Sequence, residues 1–240
     1  MDVKTAGRTV DLFDVFAKAQ TPLTLSEVAR ALDAPQSSCF NLVRALEARG
    51  YLYSVGGKKR LYPTRKLLDV ASAIANYDPV VPRFQPTLEL LRDKTEETTI
   101  LGTQQGNRVV YLAVAEGIQT IRYISRVGEL KPMHSSAIGK ALLSKMPPKD
   151  REKLIGRLPK PEITPSTITS DAALIAEIDA TEAQGYAITK GENVVDVMAV
   201  AVPFELEGIF YAIAVAGPLG RLKESYRQHA ATAQALIAQL

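Results

Sequence analysis

The stretch from Thr24 to Tyr62 constrains the fold of this chain more than any other. It carries two helix signatures split by a tight break, followed by a glycine-centred hairpin. Thr24-Leu25-Ser26-Glu27 fits a capping box, in which the threonine hydroxyl and the glutamate carboxylate satisfy amides at a helix start. Val28 and Leu32 follow one turn apart on one face. Asp33-Ala34 interrupts the pattern, and Pro35 restarts a helix where a missing N–H costs little. Phe40, Val43 and Leu46 give the second helix its apolar stripe, and Gly50 supplies its stop. Tyr51 to Tyr62 reads as a hairpin around Gly56-Gly57, with Lys58, Lys59 and Arg60 on the return strand. Helix, tight turn, helix and basic wing together make a shape that fits the DNA major groove.

Charge supports this reading and marks a boundary. The 240 residues carry a net charge of +3, unevenly placed. Residues 1–66 hold 11 Lys/Arg against 6 Asp/Glu, whereas residues 67–240 are net −2. From Arg49 to Lys66 there are six basic residues and no acidic one. A basic excess confined to the helix-turn-helix segment is the electrostatic footprint of a nucleic-acid surface. Cys39 is the only cysteine, and His134 and His229 are the only histidines. A disulfide within the chain and a Cys- or His-rich metal site are thereby excluded, and no cofactor is expected. No apolar run is long enough to span a membrane, and no signal peptide is visible. A cytoplasmic location without membrane partners is the expectation.

Arg8 to Lys18 reads as a first helix, with Val10, Phe13 and Ala17 on one face and Leu12 and Phe16 beside them. Thr64 to Tyr77 is a further helix with a wide apolar stripe of Leu67, Leu68, Ala71, Ile74 and Ala75. That is more apolar surface than a solvated spacer needs, which suggests packing against a partner subunit. The remainder alternates between types. Phe84, Leu88 and Leu91 mark a helix. Thr98 to Gln104, Val109 to Glu116 and Gln119 to Ile124 read as strands. Ser136 to Met146 and Ser170 to Gln184 are helical. Val197 to Pro203 and Ile209 to Ala216 are strand-like, and Arg221 to Leu240 is a terminal helix. The fold class is therefore α+β. The expected division is a winged helix-turn-helix over 1–66, a linker or dimerisation helix over 67–80 and a sensory domain over 81–240.

These residues resemble the IclR family of bacterial transcription regulators. The resemblance rests on the winged helix, the Glu97-Thr98-Thr99 to Tyr111-Leu112 hairpin, and the run from Met133-His134-Ser135-Ser136 to Ala141-Leu142-Leu143. Gly185-Tyr186-Ala187-Ile188, Ala199-Val200-Ala201-Val202-Pro203 and Gly217-Pro218 extend it. It implies an N-terminal winged helix-turn-helix, a dimerising linker helix and a C-terminal GAF-like domain that binds a small effector. Homodimers or dimers of dimers on double-stranded operator DNA are implied as well. The chain departs from the family's pattern at Ala199, where a cysteine is common, and at Ala214-Val215-Ala216, where Ser-x-Ser is common. Met198 stands where an arginine is common. Methyl groups in place of a thiol and hydroxyls remove hydrogen-bonding capacity and add apolar surface. Small polar acids such as glyoxylate therefore fit less well than a larger, more apolar organic acid, aromatic ones included.

The candidate DNA contacts are Gln36, Ser37, Ser38, Asn41 and Arg44 on the second helix, with Lys58, Lys59 and Arg60 on the wing. Glutamine and asparagine can reach adenine edges, and the basic side chains can meet phosphates. The candidate effector contacts are Tyr111, Arg122, Met133, Ser135, Ser136, Ala137, Met198, Ala199, Ala214 and Ala216. The His134-Ser135-Ser136 segment leads into a helix whose first amides suit an anion, with Ser136 as N-cap. Arg122 and Arg126 could pair with an effector carboxylate. Two other readings stay open. An enzyme would use the His134/Ser136 region, although Ser136 and Lys140 are four residues apart, not three, and spacing suggests no acidic orienter. An architectural DNA-binding protein would use its C-terminal domain only to oligomerise.

Overall fold

In the computed structural model, which describes residues 3–56 and 59–240, the chain divides into two units, Met1–Asp78 and Pro79–Leu240. The first contains α1 (Lys4–Ala19), α2 (Leu25–Ala31), α3 (Gln36–Ala48), β1 (Leu52–Val55), β2 (Arg60–Pro63) and α4 (Lys66–Asn76). The capping box forms at α2: the Glu27 carboxylate accepts the Thr24 amide at 2.7 Å, and the Thr24 hydroxyl accepts the Glu27 amide. Asp33 takes the left-handed conformation that turns the chain between the helices, a conformation that short polar side chains tolerate. Pro35 caps α3 from just outside it. Backbone bonds between Leu23 and Leu61 stitch the β1–β2 wing to the connection before α2.

Two helical phases differ from those read in the sequence. On α1 the core contacts come from Leu12 and Phe16, while Val10 is 65% exposed. On α3 the buried set is Cys39, Leu42, Val43 and Leu46, a regular i, i+3, i+4, i+7 stripe. Phe40 is consequently pushed out of the stripe to the solvent side. No residue of α4 is buried.

The second unit contains α5 (Val81–Thr95), β3 (Thr98–Gln105), β4 (Arg108–Ala115), β5 (Leu130–Pro132), α6 (Ala137–Ser144), α7 (Pro148–Ile155), α8 (Asp171–Gln184), β6 (Ala187–Lys190), β7 (Val197–Leu206), β8 (Ile209–Pro218) and α9 (Leu219–Ile237). Its strands form one antiparallel sheet in the order β5-β4-β3-β8-β7-β6. Side chains alternate between the faces. Tyr211, Ile213 and Val215 of β8 pack with Phe84, Leu88 and Leu91 of α5 and with Ala230 and Ala233 of α9. Ala212, Ala214 and Ala216 point the other way, toward the layer of α6 and α8. Where β8 runs, one face is filled by branched and aromatic side chains and the other is floored by the methyl groups of Ala212, Ala214 and Ala216. That asymmetry leaves room beneath α6.

Residues 119–124 are not a strand: the segment joins no ladder, and Ile118, Ile121 and Ile124 are exposed. The edge position beside β4 is taken by β5 instead. Helix α7 was not expected, because it opens on prolines and buries only Arg151 and Ile155. Arg151 is held there by Asp179 at 2.7 Å and Glu182 at 2.9 Å on α8.

Candidate functional site

The exposed face of α3 carries Gln36, Ser37, Ser38, Phe40, Asn41 and Arg44. Gln36 is already engaged, donating to the Ser26 hydroxyl at 2.7 Å and bracing α3 against α2. The Arg44 guanidinium lies 5.6 Å from the Phe40 ring centroid, close enough for a cation–π contact. Lys59 is exposed at the wing tip; Lys58 lies outside the described residues. Arg60 faces inward. It donates to the Pro22 carbonyl at 2.8 Å and sits 3.5 Å from the Glu27 carboxylate. The Thr24 backbone and hydroxyl bonds, reinforced by Arg60, hold the Glu27 carboxyl below the usual carboxylate range. Arg60 thus ties the wing to α2, at the position where the sequence reading expects a DNA-backbone or minor-groove contact.

A cavity of about 40 Å³ lies under the start of α6 in the second unit. Its sheet-side wall is Ile100, Ala199, Ala214 and Ala216. These are adjacent in register, with Ala199 opposite Ala216 and Ile100 opposite Ala214. Ser136 caps α6, accepting the Gly139 amide at 3.1 Å and donating to the Pro132 carbonyl at 2.7 Å. The next two amides, of the cavity-lining residues Ala137 and Ile138, have no intrahelical partner by helix geometry. Gly139 is required by close approach, since a β-carbon there would strike the Met133 carbonyl. Tyr111, Tyr123, Lys131, Thr189, Asn193, Val194 and Val197 complete the lining. Burial pushes the Tyr111 phenol far above its ordinary pKa, so it remains protonated.

The loop after β6 closes one side of this cavity and is pinned at several points. Asn193 donates to the Ser135 carbonyl and accepts from the Ser135 hydroxyl. Thr164 and Thr167 donate to the carbonyls of Gly191 and Glu192. Beneath it, the fully buried Lys140 ammonium meets the Glu192 carboxylate at 2.7 Å. Burial nevertheless raises the Glu192 pKa, with Lys140 working against the rise, as expected for a carboxylate taken out of water. His134 Nε2 lies 3.2 Å from the Pro161 carbonyl. Ser136 is committed to Pro132 and Gly139, so His134 and Ser136 are not hydrogen-bonded to each other.

Comparison with known proteins agrees with both halves of this architecture. A family model for the bacterial transcriptional regulator IclR C-terminal region matches residues 72–239, and one for the IclR helix-turn-helix domain matches residues 5–56. The chain belongs to the IclR family. The HTH-type transcriptional regulator BhcR of Paracoccus denitrificans (strain Pd 1222) is 31% identical over 225 residues, covering 93% of this chain and 80% of that protein. The crystal structure of Thermotoga maritima IclR is similar with a TM-score of 0.74 at 23% identity, covering 98% of this chain and 99% of that one. An IclR homologue from Microbacterium hydrocarbonoxydans, solved in complex with 4-hydroxybenzoate, gives 0.72 at 23% identity, covering 98% and 100%. At such identities the structures speak for the fold alone. The chain is thus an IclR-family transcription regulator with a helix-turn-helix domain and an effector domain. No helix among the described residues is long and apolar enough to cross a membrane.

Six of the expected effector contacts line the cavity: Tyr111, Ser136, Ala137, Ala199, Ala214 and Ala216. Four do not. Met133 and Met198 are fully buried away from the lining. Ser135 acts on the wall only through Asn193. Arg122 is held outside by Glu116 at 3.3 Å and the Gln119 carbonyl. The sequence reading missed Lys131, Tyr123, Thr189 and Asn193. For Lys131 the placement follows from the folded register, which the sequence does not show: it pairs with fully buried Val109, and cross-strand partners share a face.

Proposed function

We propose that this regulator reads operator DNA with α3 and the wing, and changes its DNA occupancy when a small organic acid with an apolar body enters the cavity under α6. The observation that carries the reading is the cavity wall. Ala199, Ala214 and Ala216 offer methyl groups and no side-chain donors, next to a helix start where the Ala137 and Ile138 amides have no intrahelical partner. An apolar body meets the first feature and a carboxylate the second. The ligand of the Microbacterium homologue, 4-hydroxybenzoate, has this chemistry. At about 40 Å³ the cavity is smaller than an aromatic acid, so binding one requires the wall formed by Asn193, Val194 and Val197 to move. Closure around the ligand then biases the protein between two states, which is how a ligand alters operator affinity. The functional unit is a homodimer, or a dimer of dimers, assembled through the apolar face of α4.

Thermal shift with a panel of aromatic, aliphatic and small polar acids tests the reading, followed by gel shifts with the acids that bind. An apolar acid should stabilise the protein and change DNA affinity. Ala214→Ser and Ala216→Ser should each weaken that acid by about 1–3 kcal/mol, since each adds a hydroxyl to a wall without partners. Tight binding of glyoxylate with indifference to apolar acids would overturn the ligand class. A panel without effect on stability or DNA binding would favour a purely oligomerising domain.

A further inference from the structure

Among the described residues, the cavity lining includes one cationic side chain, Lys131. It stands on β5 opposite fully buried Val109, so the register turns it toward the α6 layer, and its side chain is 17% exposed. Its ammonium lies 2.6 Å from the Glu129 carboxylate. The remaining polar groups of the lining are uncharged, and two of them are already engaged. Ser136 is spent on Pro132 and Gly139, and Asn193 on Ser135. An anion buried here would carry a large desolvation penalty unless a cation met it.

The partner of Lys131 can leave at low cost. Glu129 also accepts from the Ser125 hydroxyl and the Arg126 amide, and its side chain is 35% exposed. On losing the ammonium it would keep two donors and gain water. A ligand carboxylate inside the cavity has only the uncharged amides of Ala137 and Ile138 besides Lys131, and no second cation among the described lining residues. The exchange therefore favours an anionic ligand at Lys131 over one that cannot replace the Glu129 charge. We propose that Lys131 receives the effector's carboxylate, exchanging Glu129 for the ligand, and so selects organic anions over neutral molecules of the same shape. This rests on the cavity being the effector site. It assigns the acid-recognising role to Lys131 in place of Arg122, which is committed to Glu116.

The test uses the full-length protein and matched pairs of acid and amide: benzoate with benzamide, 4-hydroxybenzoate with 4-hydroxybenzamide, and hexanoate with hexanamide. Titration calorimetry of the wild type should show the acid of at least one pair binding about tenfold or more tighter than its amide. Lys131→Met should lose that preference by weakening the acid and leaving the amide unchanged. Glu129→Gln should tighten the acid several-fold, because the internal competitor is gone; a purely structural ion pair would not give that sign. Should Lys131→Met fold poorly, Lys131→Arg retains the charge and should retain the acid preference. An acid that binds the wild type and Lys131→Met equally well overturns the assignment and leaves the effector site standing. Wild-type protein that binds none of the acids, or prefers the amides, overturns both.

Discussion

At the scale of single residues, the structure separates side chains that look alike in sequence. Lys59 and Arg60 are consecutive cations on one wing, yet Lys59 is exposed while Arg60 is bonded to Pro22 and Glu27. Removing Lys59 should reduce the slope of DNA affinity against salt by up to about one counterion and leave folding alone. Removing Arg60 should lower the stability of the N-terminal unit by about 1 kcal/mol, the scale of a half-exposed pair with one backbone bond. Gel shifts over a salt series, alongside urea unfolding of both alanine variants, separate the roles. If Arg60→Ala changes the salt slope and not stability, the wing brace is wrongly assigned. Gln36 poses a related choice. Its bond to Ser26 at 2.7 Å must break before it can reach a base. Gln36→Ala should therefore affect operator binding by less than the roughly 1–3 kcal/mol of a free bidentate contact, as measured on operator and random DNA in parallel.

At the scale of elements, one link between α6 and the loop after β6 is the buried Lys140–Glu192 pair, with Glu177 3.5 Å from the same ammonium. Lys140→Met leaves the Glu192 carboxylate, with 8% side-chain exposure, without its cation, at a cost of about 3–5 kcal/mol near neutral pH. The pH dependence has a definite sign. Glu192 has a folded pKa already raised above 4.5 by burial, so the folded state binds its proton more readily than the unfolded state does. Its contribution to stability falls as pH rises from about 4.5 through the folded value. Without Lys140 that window widens upward. Urea unfolding across pH should show the variant approaching wild type in acid and diverging toward neutrality, with Glu192→Gln added to Lys140→Met restoring most of the loss. A pH-independent deficit would place the damage in packing. This coupling was not legible in the sequence, because 52 residues separate the partners and only the folded sheet joins them. What was legible was local. The Thr24 to Glu27 capping box and the β3, β4, β7 and β8 patterns are fixed by neighbouring residues. Phase errors arose where two stripes compete: on α3, the small thiol of Cys39 fills the core position that the larger Phe40 was expected to hold. The three-residue β5 and the register that aims Lys131 inward have almost no local signature.

At the scale of the whole molecule, α4 carries an unmet surface demand. Val70, Ile74 and Tyr77, at i, i+4 and i+7, are 37%, 70% and 86% exposed, and no residue of the helix is buried. A helix with an apolar stripe gains stability chiefly by packing that stripe, and a second copy of the same helix presents a matching one. Pairing two chains would also set two α3 helices on one DNA, so the second contact becomes intramolecular. Val70→Glu combined with Ile74→Glu should place like charges along the joint and shift the protein to monomers in sedimentation velocity. Operator affinity should fall on the order of a hundredfold or more, because the effective concentration of the second reading helix is lost. Thermal stability of the second unit should be unchanged, since the substitutions touch none of its core. A double variant that sediments as wild type would locate the dimer contact elsewhere. One that becomes monomeric yet binds operator with full affinity would show that a single reading helix suffices.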